Sequence, residues 1–421
     1  MKNENKNKNL KLYPKYRQLA MDLLFFYTIN VLFLTQIKQI AISAVVLVDT
    51  FYALFVIICQ IPGAIIVEKI GRKKSIILGN LCNAIYLIIV INATGFISLV
   101  FAEVFCAMAF ALKDVAEPAL LNDSINYEKE EKSNIFAKIQ GKAVSGYYVL
   151  SAVSLILSGI LYEINGYIPI CLSLGIVIIA LLMSTRFEEP KNKTETYEEM
   201  EEVSLKEAIK FCIQSKRCRC ILIFEGIIYA TIAVLATYEI SLLESLNISS
   251  IFIGIIFALL NIVSSLASKK QQIFQEKFKN RTLTVLGLSL SISCIIAGAI
   301  TYAKINIVFI ITIILIMYII KYMMVGLYNV LLIKYLSNFT NEKIDTKIFA
   351  IDNLSASLLS VIFGIIGSGL LEIMTISKAM IVFSIFVLII ISITLLYMKN
   401  KVGLNPNEYS ELELKYDKKV K

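Results

Sequence analysis

Ionisable side chains lie inside long apolar stretches of this chain, where an unpartnered charge is costly. Removal from water raises the pKa of a carboxyl group, so a carboxyl in such a place can load and release a proton near neutral pH. Asp49 and Glu103 each lie about six residues, or about 9 Å, from the predicted outer end of their stretch. We predict that these two carboxyls carry protons, and Asp114 and Glu239 are further proton-coupling candidates.

The apolar stretch at 97–121 carries the densest set of charges. At 100° per residue of an ideal helix, its members fall within an arc of about 100°, so they form one polar stripe. The stripe consists of Glu103, Lys113, Asp114 and Glu117. Lys113 and Glu117 are spaced i,i+4, and we predict that they neutralise each other. An internal ion pair that holds helices in register and a substrate or proton site are alternative interpretations of the stripe.

Other charges in the apolar stretches fit the walls or gates of a water-filled cavity. For those near the inner end of a stretch, placement at the membrane interface is the alternative. The cavity or gate candidates are Asp22, Lys113, Glu117, Glu225, Lys321 and Asp352. Aromatic and amide side chains on the same stretches are candidates for the cavity lining, namely Tyr27, Tyr52, Phe110, Tyr147, Tyr148, Tyr229, Asn261 and Tyr322.

The chain that holds these residues is too apolar for water to be its main solvent. Its 421 residues are 57% hydrophobic, and its mean hydropathy is +0.75. About twelve runs approach the roughly 20 residues that a spanning helix needs. This predicts an all-α membrane protein with twelve transmembrane helices in two pseudo-symmetric six-helix bundles. The predicted spans are 18–35, 43–67, 75–92, 97–121, 139–162, 169–185, 221–243, 250–267, 282–303, 305–333, 347–372 and 379–398.

Lysine and arginine are distributed unevenly over the loops between these spans. Of 41 such residues, only Lys38, Lys304 and Lys378 fall in loops on the side opposite the N-terminus. Cytoplasmic loops carry the excess of positive charge. We therefore expect a multi-pass protein of the cell membrane with both termini in the cytoplasm. The formal net charge of +9 reflects this topology, and its basic residues are too scattered to form a nucleic-acid surface.

The residue types disfavour several classes of protein. The chain has no histidine to complete a Cys/His set with its 8 cysteines, so we expect no metal site and no cofactor. It has no Gly-x-x-x-x-Gly-Lys-Ser/Thr run, which disfavours an ATP-driven pump. No nucleophile stands beside a base, so we do not expect an enzyme.

One charged loop occurs twice, at a constant offset of about half the chain. The residues Glu68 to Lys73 recur as Glu276 to Arg281, and the same offset superimposes Lys113 on Lys321. A shared apolar composition does not align charged loops and a lone lysine in register, so the chain is interpreted as two copies of one half. The predicted organisation is an N-tail at 1–17, a first bundle at 18–185, a central linker with an amphipathic helix at 186–220, a second bundle at 221–398 and a C-tail at 399–421.

The loop after the second span resembles the signature loop of the major facilitator superfamily, Gly-x-x-x-Asp-Arg-x-Gly-Arg-Arg/Lys. Three residues match this motif directly, and two preserve the charge of its Asp and Arg. The first glycine of the motif has no match in register, and Gly63 stands one place before it. The direct matches are Gly71, Arg72 and Lys73, and the charge-preserving ones are Glu68 and Lys69.

The resemblance implies the twelve-helix fold of that superfamily and a latch function for this loop. Glu68 would lie at the N-terminus of the eleventh span, where the helix dipole favours an anion. Arg72 would pair with Asp123 at the cytoplasmic end of the fourth span. Such contacts, broken as the halves move, would separate two states of a carrier.

Duplicated halves with internal charges fit a secondary transporter that works by alternating access. We expect proton-coupled, drug-efflux-like export of small amphipathic compounds, because the candidate lining is largely aromatic. Proton- or ion-coupled uptake of a sugar, amino acid or other metabolite is the alternative, and a non-transporting sensor or polytopic enzyme is a remote one. Two departures from the superfamily limit the first expectation: the fourth span lacks the Arg of many proton-coupled members, and the fifth lacks the Gly-Pro-x-x-Gly-Gly run of drug antiporters. Substrate, direction and coupling ion stay open. A monomer in the lipid bilayer is expected.

Overall fold

The computed structural model describes residues 8–125, 129–190, 205–278, 281–338 and 345–399, and these are helical with no β-strand. The start of the predicted N-tail, the linker at 191–204 and the predicted C-tail from 400 onwards lie outside the described residues. The helices are α1 (Lys8–Ala20), α2 (Tyr27–Leu32), α3 (Ile42–Ile70), α4 (Arg72–Asn92), α5 (Phe96–Asp123), α6 (Lys129–Ile164), α7 (Ile168–Ser184), α8 (Leu205–Gln214), α9 (Lys216–Ser245), α10 (Ser250–Lys269), α11 (Gln271–Phe278), α12 (Thr282–Ala299), α13 (Ile307–Asn338), α14 (Asp345–Ile373) and α15 (Ile376–Lys399).

Ten of the described helices are long and apolar enough to cross a membrane. They are α3, α4, α5, α6, α9, α10, α12, α13, α14 and α15. Each corresponds to one predicted span, with ends that differ by up to about five residues except at the start of α6, which lies ten residues earlier than predicted. The sixth predicted span is α7, an apolar helix of 17 residues, which is slightly short of the roughly 20 residues of a typical span.

The first predicted span, 18–35, is not one helix. α1 ends at Ala20, the chain unwinds over residues 21–26, and Phe25 has a positive φ of 66°. Asp22 lies in this break, where its Oδ1 accepts a hydrogen bond of 3.0 Å from the Leu23 N–H. Such a local bond competes with helix formation. The chain then continues as α2 and a π-helical turn, so the first apolar stretch consists of half-helices instead of the continuous span that hydropathy predicts.

The helices divide into two compact units. The first comprises Met1–Glu199 and Asn247–Ala258, and the second comprises Met200–Leu246 and Leu259–Lys421. In the first unit α1 packs on α6, and α4 packs on α5 and α7. In the second unit α9 packs on α14, and α12 packs on α13 and α15. These helices hold equivalent positions in the two predicted halves, so the repeat seen in the charged loops extends to helix packing.

The short helix α8 follows the linker and lies outside the apolar spans. Ile209 and Ile213 are exposed on it, whereas Cys212 is buried. Exposed apolar side chains on a helix beside a membrane span fit the amphipathic helix predicted in the central linker.

Candidate functional site

A lysine from α5 binds the backbone where α1 ends, at the helix break in the first unit. Lys113 Nζ donates a hydrogen bond to the carbonyl oxygen of Ala20, at the C-terminal end of α1, and the Lys113 side chain is 1% exposed. Carbonyls at a helix C-terminus lack intrahelical partners and carry partial negative charge, so an ammonium group there is stabilising. Gly79 of α4 leaves room for this lysine, because a Cβ at Gly79 would lie only 2.7 Å from Lys113 Cγ.

Glu117 forms its direct contacts with α1, in addition to an electrostatic interaction with Lys113. The Arg17 guanidinium pairs with Glu117 Oε2, and the Tyr16 hydroxyl donates to Glu117 Oε1 at 2.8 Å. Asn80 in turn donates to the Tyr16 hydroxyl at 2.9 Å. The direct ion pair of Glu117 is thus with Arg17, and its predicted interaction with Lys113 is electrostatic without a recorded ion pair in the described residues. The i,i+4 spacing identified Lys113 and Glu117 as neighbours on α5. It could not indicate that Arg17 of α1 forms the ion pair with Glu117.

Asp22 and two tyrosines form a polar cluster at the helix break. The Tyr147 hydroxyl from α6 donates to Asp22 Oδ2 at 3.3 Å, and the Tyr27 hydroxyl also bonds this carboxyl. Lys113 lies close enough to Asp22 to interact electrostatically. Tyr27, Lys113 and Tyr147 were all candidates from the sequence. They belong to three separate helical segments, and the structure places all three near Asp22.

Aromatic rings continue this cluster along α5 and α3. Lys113 Nζ lies 5.4 Å from the centroid of the Phe110 ring, within the range of a cation–π contact. The Tyr52 ring meets Phe110 edge-on with centroids 6.5 Å apart. Phe110 and Tyr52 are both predicted lining residues, and the structure places them beside the lysine that closes the break.

Glu103 lies further along α5 and has a different environment from Glu117. It is 6% exposed and hydrogen-bonds the Tyr86 hydroxyl of α4, while Asp49 of α3 interacts with it electrostatically. Asp49 itself is exposed. Among the ion pairs of the described residues, none includes Glu103. Glu103 is therefore a buried carboxyl whose neighbours are a phenol and another acid.

Tyr86 was not among the sequence candidates, because its predicted span, 75–92, contains no charged residue. Its ring packs edge-on against Phe26 at 5.7 Å, and Phe26 packs in the same way against Tyr27 at 5.8 Å. This chain of rings links the Glu103 carboxyl to the cluster at the helix break. The available signal was that Tyr86 is the one aromatic residue of the predicted span 75–92.

In the second unit, Lys321 and Glu239 form a buried ion pair. Lys321 Nζ lies 2.8 Å from Glu239 Oε1. Tyr322 supplies a ring 4.9 Å from the same ammonium. Lys113 and Lys321 thus match in register but differ in partner, since one binds a helix-end carbonyl and the other binds a carboxylate.

The remaining candidates fall into two groups. Glu225 of α9 and Asp352 of α14 meet each other in the second unit. Asp114, Tyr148, Tyr229 and Asn261 have exposed side chains, and their part in a cavity stays a prediction. In the described part of the chain, no group of three or more Cys, Asp or Glu side chains could hold a metal ion.

A family model described as Major Facilitator Superfamily matches residues 19–337. The chain belongs to the major facilitator superfamily. It is accordingly a multi-pass membrane protein of a transporter family. No curated protein matches the chain at a significant level.

Solved structures show the same superfamily fold. A variant of the nucleoside transporter NupG matches with a TM-score of 0.75 and 12% identity over 92% of this chain and 100% of that chain. A bacterial homologue of the human lysosomal transporter Spinster, inward-facing and unoccupied, matches with a TM-score of 0.72 and 14% identity, over 94% and 97%. A D-xylose–proton symporter matches with a TM-score of 0.66 and 11% identity, over 91% and 97%. At these identities the likeness shows the fold alone.

The signature loop of the superfamily has a defined geometry in the first unit. Arg72 Nε lies 3.2 Å from Asp123 Oδ2, while Glu68 and Lys69 are exposed. Gly71 has a φ of 92°, a left-handed conformation that glycine adopts without strain. The pairing of Arg72 with Asp123 is present, and its function as a latch stays a prediction.

Glu189 hydrogen-bonds the signature loop, although the sequence analysis placed it in the linker. Its Oε1 accepts a hydrogen bond from the Arg72 N–H at 2.7 Å, and its Oε2 accepts one from the Lys73 N–H at 2.8 Å. The first N–H groups of a helix lack intrahelical acceptors and favour an anion. Glu189 therefore caps α4 and ties the end of the first unit to the signature loop.

The first glycine of the motif has no match in register, and Gly63, one position earlier, provides the close helix packing instead. Gly63 is buried on α3, and a Cβ there would lie 3.0 Å from Ala111 Cβ and 3.2 Å from Ala111 backbone atoms. Close packing of α3 on α5 thus uses the glycine one position earlier than in the superfamily motif.

Proposed function

We propose that this superfamily member is a proton-coupled secondary transporter that exports small amphipathic compounds by alternating access. The observation that carries the proposal is Glu103, a buried carboxyl with Tyr86 and Asp49 as neighbours and no ion pair in the described residues. A carboxyl removed from water and placed near another acid favours its protonated form. It can therefore take up a proton in one state and release it in another.

The cargo class is inferred from the side chains around the helix break. Tyr27, Tyr52, Phe110 and Tyr147 offer flat apolar faces with a few hydroxyl groups, and Asp22 adds one negative charge. Ring faces with a few hydroxyl groups and a carboxyl beside Lys113 suit an amphipathic molecule. This composition supports small amphipathic compounds as cargo.

Uptake of a metabolite is the second candidate function. The solved structures that share the fold include a nucleoside transporter and a D-xylose–proton symporter. The polar groups Asp22, Tyr27 and Tyr147 would also hydrogen-bond the hydroxyls of a sugar or nucleoside.

A liposome assay separates the two candidates. Purified protein in liposomes would be given a pH gradient of either sign and offered ethidium, uridine or D-xylose. Export by proton exchange predicts that ethidium moves against the direction of proton flow, and uridine and D-xylose move no faster than in empty liposomes. Movement of uridine or D-xylose together with protons would favour the uptake candidate. Ethidium movement that ignores the pH gradient would contradict proton coupling.

We further propose that the protein is a monomer in the cell membrane with both termini in the cytoplasm. The support is the distribution of lysine and arginine between the two sides of the predicted topology. A fluorescent-protein fusion at Lys421, which fluoresces only in the cytoplasm, tests the orientation; a dark fusion of the intact chain would contradict it.

A further inference from the structure

We propose that Glu225 of α9 and Asp352 of α14 form a site that binds one exchangeable proton between their carboxyl groups. The two carboxyl groups lie close enough to interact with each other. Two carboxylates are acceptors only, so they can hydrogen-bond each other only when one carboxyl carries a proton. Coupled pairs of this kind hold a single proton over a wide pH range, because two like charges in contact cannot both ionise.

The contact between the two acids is imposed by helix packing. Gly226 follows Glu225 at the closest approach of α9 to α14, where an added Cβ would lie 2.5 Å from Leu359 Cδ1 and 3.3 Å from the Ser355 carbonyl oxygen. The Ser355 hydroxyl also donates to the Leu222 carbonyl at 3.3 Å. With the backbones this close, the acids on the facing sides of both helices have little room to separate.

The second observation is a set of buried oxygens without donors. Within the described residues, Glu225 Oε2 and Asp352 Oδ1 are buried and have no hydrogen-bond donor, and Asp352 is 7% exposed. None of the ion pairs of these residues includes either acid. A buried ionised carboxylate without a cation or donor is costly, and a proton is the smallest ligand that removes the charge.

Two thiols and one phenol lie near Glu225 and Asp352. Cys212 of α8 and Cys218 of α9 lie close enough to Asp352 to interact electrostatically, as does Tyr328 of α13 with both acids. The Tyr328 hydroxyl donates to the Glu225 backbone carbonyl at 3.2 Å.

The nearest described cation on the same helix is engaged elsewhere. Arg219 of α9 donates to the Tyr397 hydroxyl of α15 and to the Ile213 carbonyl oxygen.

On α8, which lies outside the spans, the hydrogen bond with Cys218 lowers the pKa of the Cys212 thiol. A Cys212 thiolate would add negative charge near Asp352 and strengthen proton binding by the pair.

This site is separate from Glu103, which lies in the other unit. Proton binding by the pair does not depend on the proposed transport function; its use in coupling would rest on that function. The proposal is therefore tested by measurements of protonation that do not involve transport.

Infrared spectroscopy of the purified protein detects protonated carboxyl groups by their C=O stretch. We expect wild type at pH 7 to show a signal that Glu225→Gln and Asp352→Asn each abolish, and that the double variant reduces no further. Glu372→Gln, which changes an exposed acid on the same helix α14, should leave this signal unchanged. An unchanged signal in both single variants, or two independent losses that add in the double variant, would overturn the proposal.

A second measurement needs no variant. A hydrophobic carbodiimide attaches to protonated carboxyls in apolar surroundings, and peptide mass spectrometry locates the adduct. We expect an adduct on Glu225 or Asp352 whose yield falls by about tenfold for each pH unit above the pKa of the pair, and none on Glu372. Absence of an adduct on both acids at pH 6 to 7 would overturn the proposal even if the amide variants fail to fold.

Discussion

Lys321 Nζ lies 2.8 Å from Glu239 Oε1, and these side chains are 1% and 0% exposed. Each group therefore depends on the other for most of its neutralisation, with the Tyr322 ring as a further partner of the ammonium. Lys113, the matching residue of the first unit, instead binds the Ala20 carbonyl at a helix end. The two halves thus keep a lysine in register and use it in two ways.

The pair of Lys321 with Glu239 should show strong coupling in stability. Lys321→Met leaves a buried carboxylate unpaired, and we expect a loss of about 3–5 kcal/mol in the free energy of unfolding. Adding Glu239→Gln to this variant should recover most of the loss. Thermal unfolding in detergent measures all four members of the cycle, and strictly additive losses would contradict the ion pair.

Glu117 should be coupled more strongly to Arg17 than to Lys113. Arg17→Gln leaves Glu117 with only the Tyr16 hydroxyl as a described donor, so we expect a loss of about 3 kcal/mol that Glu117→Gln largely reverses. The matched cycle with Lys113→Met and Glu117→Gln should show a much smaller coupling energy. Equal coupling in both cycles would contradict the assignment of Arg17 as the partner.

Gly79 should resist enlargement because Lys113 passes over it. A methyl group there would meet Lys113 Cγ and the Ala109 carbonyl, so we expect Gly79→Ala to lower stability by about 1–3 kcal/mol. Gly175→Ala in α7 is the control, since nothing lies within 4 Å of its added Cβ. We expect that variant to be neutral or slightly stabilising. The comparison uses melting temperatures in one detergent, and equal effects of both substitutions would be inconsistent with the packing described.

The signature loop should matter for transport more than for folding. Arg72→Ala and Asp123→Ala remove a partly exposed ion pair whose contribution to stability is about 1 kcal/mol or less. If the pair is a latch, both variants should reach the membrane at normal levels and move ethidium in liposomes several-fold more slowly than wild type. Unchanged transport in both would exclude the latch.

The sequence predicted the features that depend on composition and register. Long apolar runs predicted the spanning helices, and the duplicated loop predicted two units with equivalent packing. The resemblance to the superfamily motif indicated the pairing of Arg72 with Asp123. These features follow from apolar runs, a repeated loop and a known motif, all of which can be identified in a single sequence.

The partners that sequence reasoning missed come from segments distant in the chain. Arg17 was assigned to a polar tail, yet α1 carries it to Glu117 on α5. Glu189 was assigned to the linker, yet it caps α4. Helical spacing compares residues of one helix only, so it cannot indicate which acid of another helix comes within hydrogen-bonding distance.

The break at residues 21–26 was missed for a different reason. Hydropathy averages over a window of about 19 residues, so a single Asp22 among leucines and phenylalanines does not interrupt the predicted span. The local hydrogen bond of Asp22 and the lysine that arrives from α5 stabilise the unwound backbone there. An acid inside an apolar run is the signal that could have indicated the break.

Proton movement in liposomes tests the central claim, that Glu103 with Asp49 carries the coupling proton, most directly. Liposomes containing the protein and a trapped pH-sensitive dye would be given an ethidium gradient, and the internal pH would be followed. We expect wild type and Glu372→Gln to move protons in response, and Glu103→Gln and Asp49→Asn to reduce this response at least tenfold. Proton movement at the wild-type rate in both of the latter variants would contradict the account.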